Sequence, residues 1–114
     1  ETQLQSIFLQ VNTGGDPNKH GFSPKETITA AKEIAKMGGL SLIGIMTIPP
    51  NNISKGNIQS IYKETRKIRD KVQTSIEKRC SNLSMGMSND YEIAIEEGAT
   101  HIRIGTTLFG ERPQ

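Results

Sequence analysis

The sequence predicts an α/β fold with parallel strands. Short apolar runs of strand length alternate with segments of helical periodicity along the whole chain. The connections that follow the strands are rich in Gly, Asn, Ser and Thr, the residues of tight turns and helix caps. The chain has 114 residues, the size of one ordinary domain. Alternation of this kind calls for parallel strands joined by helical crossovers.

The elements follow in order. Leu4 to Val11 (LQSIFLQV) reads as a largely buried strand, and Asn12 to Phe22 (NTGGDPNKHGF) as a polar loop. Ser23-Pro24-Lys25-Glu26 opens a helix: Ser23 suits the N-cap, Pro24 the first turn, and Glu26 completes a capping box. Ile28, Ala31, Ile34 and Ala35 fall on one face, and Gly38-Gly39 supplies the stop. Leu40 to Ile48 (LSLIGIMTI) is the second strand, ended by Pro49-Pro50, and Asn51 to Asn57 reads as loop. A long helix carries Ile58, Ile61, Tyr62, Thr65, Ile68, Val72 and Ile76 on one stripe. Leu83 to Met87 (LSMGM) is the third strand. Asn89, with Glu92 three residues on, is placed as the cap of a third helix that Gly98 ends. His101 to Ile104 (HIRI) is the fourth strand, and Gly105 to Phe109 reads as one short helical turn.

Two architectures accommodate this β-α-β-α-β-α-β order. One is a small open doubly wound sheet. The other is half of an eight-stranded barrel, which needs about 250 residues when whole. Pattern alone leans toward the open sheet, because a half-barrel has two unpaired edges.

Composition excludes several classes. With 14 basic and 12 acidic residues the net charge is +2, so neither nucleic acid nor a membrane surface is an expected partner. The basic cluster from Lys63 to Arg79 is interleaved with Glu64, Asp70 and Glu77 at helical spacing and reads as a solvated helix face. The single cysteine, Cys80, forms no intramolecular disulfide, reads as an inert thiol and suits a reducing compartment. With no apolar run of membrane-spanning length, the expectation is a soluble, cytoplasmic chain. His20 and His101 lack partners at ligand spacing, so no metal site is expected.

The residues that suggest chemistry lie in the last thirty positions. Ser84 to Asp90 and Arg103 to Thr107 are small, hydrogen-bonding loops at strand C-termini, where α/β folds build their sites. Gly105 permits close backbone approach, Ser88 and Thr106 offer hydroxyls, and Arg103 supplies fixed positive charge. These suit a phosphate. The plainer alternative is a turn glycine and ordinary helix caps.

In chain order, QVNTGGDPNKHGF, LIGIMTI and LSMGMSNDYEIAIEEGATHIRIGTTLFGER resemble the pyridoxal phosphate homeostasis protein family, once called proline synthetase co-transcribed protein. That family is similar in fold to the N-terminal domain of bacterial alanine racemase. The resemblance implies the C-terminal half of a (β/α)8 TIM barrel of pyridoxal phosphate fold-type III. It implies pyridoxal 5'-phosphate (PLP) as cofactor and a carrier or regulator of cofactor pools without established catalysis. By resemblance, Ser88 and the backbone around Met85 contact the phosphate, Gly105 and Thr106 complete the cradle, and Arg103 faces the pyridine nitrogen. An arginine there keeps the ring nitrogen unprotonated and restrains carbanion chemistry.

The family binds its cofactor covalently through a lysine near the end of the first barrel strand. None of Lys19, Lys25, Lys32, Lys36 or Lys55 sits in that lysine motif. The N-terminal half of the barrel that carries it, or a second copy of the chain, is therefore the expected partner besides PLP. Gly14-Gly15 stands where many relatives have Ser-Gly, and the loop after Ile48 looks shortened. The competing enzyme reading is a fragment of a PLP-dependent amino-acid racemase. Such racemases use a second domain and a tyrosine base, whereas Tyr62 and Tyr91 fall on predicted helices. An unrelated open α/β phosphate-binding domain is the third alternative.

Overall fold

A computed structural model describes residues 4–13, 21–50, 53–87 and 90–103. Among the described residues, four strands and three helices alternate: β1 (Gln5–Gln10), α1 (Pro24–Ala35), β2 (Leu40–Met46), α2 (Lys55–Ser75), β3 (Asn82–Met87), α3 (Tyr91–Glu96) and β4 (His101–Arg103). The strands form one sheet in the order β1-β2-β3-β4, and every neighbouring pair is parallel.

That order decides between the two architectures. A doubly wound sheet reverses its strand order at a switch point and carries helices on both faces. Here the order never reverses, so right-handed crossovers place all three helices on one face. Helix α1 packs on α2, and α2 on α3, as neighbours in one layer. This is the arrangement of a run of consecutive barrel strands.

Side-chain parity divides the sheet. Leu9, Ile45 and Leu83 are register partners, and all three are buried in the core beneath the helices with Val11, Leu42 and Met85. One residue along, Gln10, Met46, Ser84 and His101 form a row on the helix-free face. Phe8, Gly44 and Asn82 form the row before it.

The register of β1 against β2 shifts between Ile7 and Phe8, so that Ile43 is an extra residue in β2. Its carbonyl accepts from Asn82 Nδ2 at 3.0 Å. The shift sets Phe8 opposite Gly44. A Cβ on Gly44 would lie 2.4 Å from the Phe8 ring and 2.7 Å from the Asn82 carbonyl oxygen. The absent side chain is what admits the ring. Phe8 of β1 then meets His101 of β4 edge-on, with ring centroids 5.5 Å apart. In a flat sheet their strands would be about 14 Å apart. The contact marks a sheet that curls toward its helix-free face.

The helix on α1 begins as its sequence predicts. Ser23 Oγ accepts from Glu26 N–H at 3.1 Å, and Glu26 Oε1 accepts from Ser23 N–H at 3.0 Å. Its end differs. Lys36 is the C-cap, Ala35 is exposed, and Gly38-Gly39 do not take the left-handed conformation, which belongs to Gly21, Gly86 and Gly98. Helix α2 begins three residues earlier than the predicted loop allows, because Ser54 Oγ accepts from Asn57 N–H at 3.2 Å. The predicted stripe is confirmed at Tyr62, Thr65, Ile68 and Val72, which are buried. The N-cap of α3 is Asp90 rather than Asn89, which lies outside the described residues. Glu97 ties α3 to α2: Gln59 Nε2 donates to its Oε2 at 3.0 Å, and Arg66 Nη1 lies 3.4 Å from its Oε1.

Candidate functional site

The C-terminal ends of the strands meet through hydrogen bonds that no single element would make. Val11 N–H donates to the Met46 carbonyl at 2.8 Å, and Thr47 Oγ1 returns to the Val11 carbonyl at 2.9 Å. Thr47 N–H reaches the Ser84 carbonyl at 3.1 Å. Thr65 of α2 gives its own proton to the Ile61 carbonyl at 2.7 Å, so Thr13 donates to Thr65 Oγ1 at 2.8 Å. The polypeptide just after β1 is thereby pinned to α2.

Arg103 lies across this end of the sheet. From β4 its Nη1 donates to Ser84 Oγ of β3 at 3.3 Å, and its Nη2 to the Thr47 carbonyl after β2 at 3.5 Å. Both bonds are long. A guanidinium has five donors, and among the described residues the other three have no acceptor. The side chain is half-buried, where an unmet donor costs more than it would in open water. Among the described residues, Arg103 is thus a cation at the strand ends with three donors unmet.

The end of β3 turns sharply beside it. Gly86 has φ +107°, and a Cβ there would come within 2.6 Å of the Ala94 Cβ and 3.1 Å of Ile102 Cγ2. Only glycine lets β3 pass this close to α3 and β4. Beyond it, Asp90 Oδ1 accepts from Met87 N–H at 2.7 Å, and Asp90 N–H donates back to the Met87 carbonyl at 3.0 Å.

The predicted site residues fall into two groups. Met85 is fully buried in the core under the helices, so only its backbone faces the strand end. Arg103 stands as described. Ser88, Gly105 and Thr106 lie outside the described residues. Sequence reasoning placed Asp90 in the loop that ends β3 without giving it a role, and it did not find Tyr62 at this end of the sheet. Asp90 carries a legible signal, as an Asx residue just ahead of an apolar helix. Tyr62 carries none, since it reads as one more position of a buried stripe.

The buried Tyr62 hydroxyl neighbours Asp90 and the Gly86 backbone but falls outside strict hydrogen-bond geometry for either. Burial pushes its phenol well above the ordinary tyrosine value, reinforced by the neighbouring Asp90 carboxylate. The Arg103 charge and the Gly86 backbone amide oppose that rise. All three neighbours belong to the end of β3 and its surroundings. No group of three His, Cys, Asp or Glu residues among those described is placed to hold a metal. No helix among them is long and apolar enough to cross a membrane.

Comparisons with known proteins agree with this geometry. The chain is 38% identical over 109 residues to the pyridoxal phosphate homeostasis protein of Aquifex aeolicus, covering 96% of this chain and 48% of that one. It is 38% identical over 117 residues to the protein of the same name from Mus musculus, covering 97% and 42%. The chain therefore spans about half the length of the curated relatives it matches. Among solved structures, PipY of Synechococcus elongatus PCC7942 without PLP superposes with a TM-score of 0.87 at 33% identity, covering 94% of this chain and 50% of that one. The same protein with PLP bound gives 0.81 at 28% identity, covering 96% and 50%. The four-stranded sheet is thus similar to about half of the barrel fold of PipY, a protein solved with PLP bound. Residues 1–113 match the family described as alanine racemase, N-terminal domain, and the chain belongs to that family.

Proposed function

We propose that this chain is the C-terminal half-barrel of a PLP-binding protein that serves cofactor homeostasis, and that it supplies the ring-nitrogen and phosphate contacts. The observation that carries the reading is Arg103, a half-buried guanidinium with three donors unmet among the described residues, at the strand ends of a fold whose solved relative holds PLP. A planar heteroaromatic ring with an acceptor nitrogen and an anionic tail fits such a group. Arg103 would face the ring nitrogen. The backbone at Met85, with Ser88, Gly105 and Thr106, would take the phosphate. The bound cofactor supplies an aldehyde and an electron-withdrawing ring. An arginine at the nitrogen keeps that ring a weak electron sink, which suits carriage more than catalysis. The covalent lysine would come from the remaining half of the barrel, with which β1 and β4 would pair.

The racemase reading finds less support. Its chemistry needs a tyrosine that gives up its proton. Tyr62 is fully buried and held protonated, and Tyr91 lies half-buried on α3.

The test uses the full-length protein that contains this chain. Titration with PLP, followed by visible absorbance of the lysine-bound cofactor, is expected to saturate at one equivalent. Arg103→Leu is expected to lower the affinity about tenfold and to shift the absorption band, because a charged donor at the ring is lost. Absence of saturable binding by the wild-type protein would overturn the reading. Turnover of a chiral amino acid by the PLP-loaded protein would favour the racemase instead.

A further inference from the structure

An arginine beside a carboxylate is already matched, whereas one held only by neutral acceptors keeps its charge for something else. The arginines among the described residues divide on this point. Arg66 Nη1 lies 3.4 Å from Glu97 Oε1, Arg69 Nε 2.8 Å from Asp70 Oδ1, and Arg79 Nε 3.1 Å from Glu77 Oε2. Arg103 pairs with no carboxylate among the described residues. Its Nη1 donates to the Ser84 hydroxyl at 3.3 Å and its Nη2 to the Thr47 carbonyl at 3.5 Å.

Both holders are fixed by the sheet. Ser84 lies in β3 and is 8% exposed, and Thr47, directly after β2, is 1% exposed. Thr47 N–H donates to the Ser84 carbonyl at 3.1 Å, which ties the two together. Thr47 Oγ1 donates to the Val11 carbonyl at 2.9 Å, which ties them to the end of β1. The two terminal nitrogens of the guanidinium are thus held from two different strand ends. Two points fix the direction of a planar group where one would let it swing. A long side chain aimed before the ligand arrives removes that ordering cost from binding. Because its acceptors are a hydroxyl and a carbonyl, the group is aimed without being neutralised.

We propose that Ser84 is a positioning residue for Arg103: with the Thr47 carbonyl, its hydroxyl aims the charged guanidinium at the acceptor nitrogen of the bound ring. The inference rests on the cofactor reading above, and it assigns Ser84 to the ring nitrogen rather than to the phosphate. Ser84 acts through Arg103 and touches no cofactor atom. A neutral hydroxyl suits this role, since a carboxylate in the same place would pair with Arg103 and compete with the ligand.

The experiment titrates full-length wild-type protein, Ser84→Ala, Arg103→Leu and the double variant with PLP and with its deaza analogue, in which a C–H replaces the ring nitrogen. Absorbance of the lysine-bound cofactor reads both affinity and band position. Ser84→Ala is expected to lower the affinity for PLP about fivefold, the value of one hydrogen bond, and to move the band toward that of Arg103→Leu. Its affinity for the deaza analogue should equal that of the wild-type protein, because that ring offers Arg103 no acceptor. The double variant should bind PLP no more weakly than Arg103→Leu alone, because Ser84 acts only through that residue. Unchanged PLP affinity and band in Ser84→Ala, equal losses for PLP and the analogue, or a further loss in the double variant would overturn the proposal while leaving the cofactor reading intact. A wild-type protein that binds no PLP would overturn both.

Discussion

The two faces of the sheet are built from the same strands and the same backbone ladder, and they do different things. On the helix-covered face, Leu9, Ile45 and Leu83 form a buried apolar row. One residue along, Gln10, Met46, Ser84 and His101 run from buried to exposed and include a partner of Arg103. Only the period of two separates them. The covered face accounts for stability. The helix-free face is less fully buried and carries the polar groups that engage Arg103. Tyr62 is the exception: a polar side chain fully buried on the covered side.

The most forceful way to break this contrast is to truncate matched positions on each face. Leu83→Ala should destabilise by about 2–5 kcal/mol, since a buried side chain is replaced by a cavity. Ser84→Ala, next along the same strand, should cost about 1 kcal/mol or less, because it removes one long hydrogen bond. Denaturant unfolding of both variants checks this. Equal losses would mean that the helix-free face is as much core as the other.

A second test sharpens the contrast through pH. Burial pushes the Cys80 thiol from its ordinary value of 9.0 up to about 11. The thiol is on the covered side and neutral when protonated. Between those two values the unfolded chain has released its proton and the folded chain has not. Stability contributed by Cys80 is therefore complete below pH 9 and lost as pH rises to about 11. A shift of that size amounts to roughly 2–3 kcal/mol. Tyr62, raised in the same sense, adds a loss that begins above about pH 10. Unfolding curves from pH 8 upward should show the decline, and Cys80→Ala should remove its earlier part. A flat profile through pH 11 would show that the thiol is not held in the core.

The smallest expected effect lies away from both faces. Ser23→Ala removes one arm of the capping box at α1 and should cost about 1 kcal/mol. It should leave affinity for PLP unchanged, which ligand titration of the full-length protein checks. A loss of affinity would mean that α1 reports on the site at a distance.

Much of the fold was legible because its signals are local. Ser23, Pro24 and Glu26 announce α1 through bonds spanning three residues. The stripe through Tyr62, Thr65, Ile68 and Val72 needs only the helical repeat. Boundaries were less secure where two residues compete for one role. The N-cap of α3 was expected at Asn89 and falls at Asp90, whose carboxylate makes no capping bond and instead accepts from Met87 N–H. Ala35 was expected on the buried face, but α1 ends there and the residue points outside the contact with the sheet.

By itself, then, the sequence determined the order of strands and helices, the N-terminal cap of α1, the buried stripe of α2, and Arg103 as the charged group after the third crossover. Those follow from periodicity and short-range hydrogen bonding. The sequence did not determine the curl of the sheet or the grouping at its end. The Phe8–His101 contact joins residues on the first and last strands, and it exists because Gly44 leaves a space that the shifted register of β2 places opposite Phe8. Tyr62, Asp90 and Arg103 come from α2, the start of α3 and β4. Their common neighbourhood is set by how three crossovers pack on one face, a long-range property that no window along the chain contains.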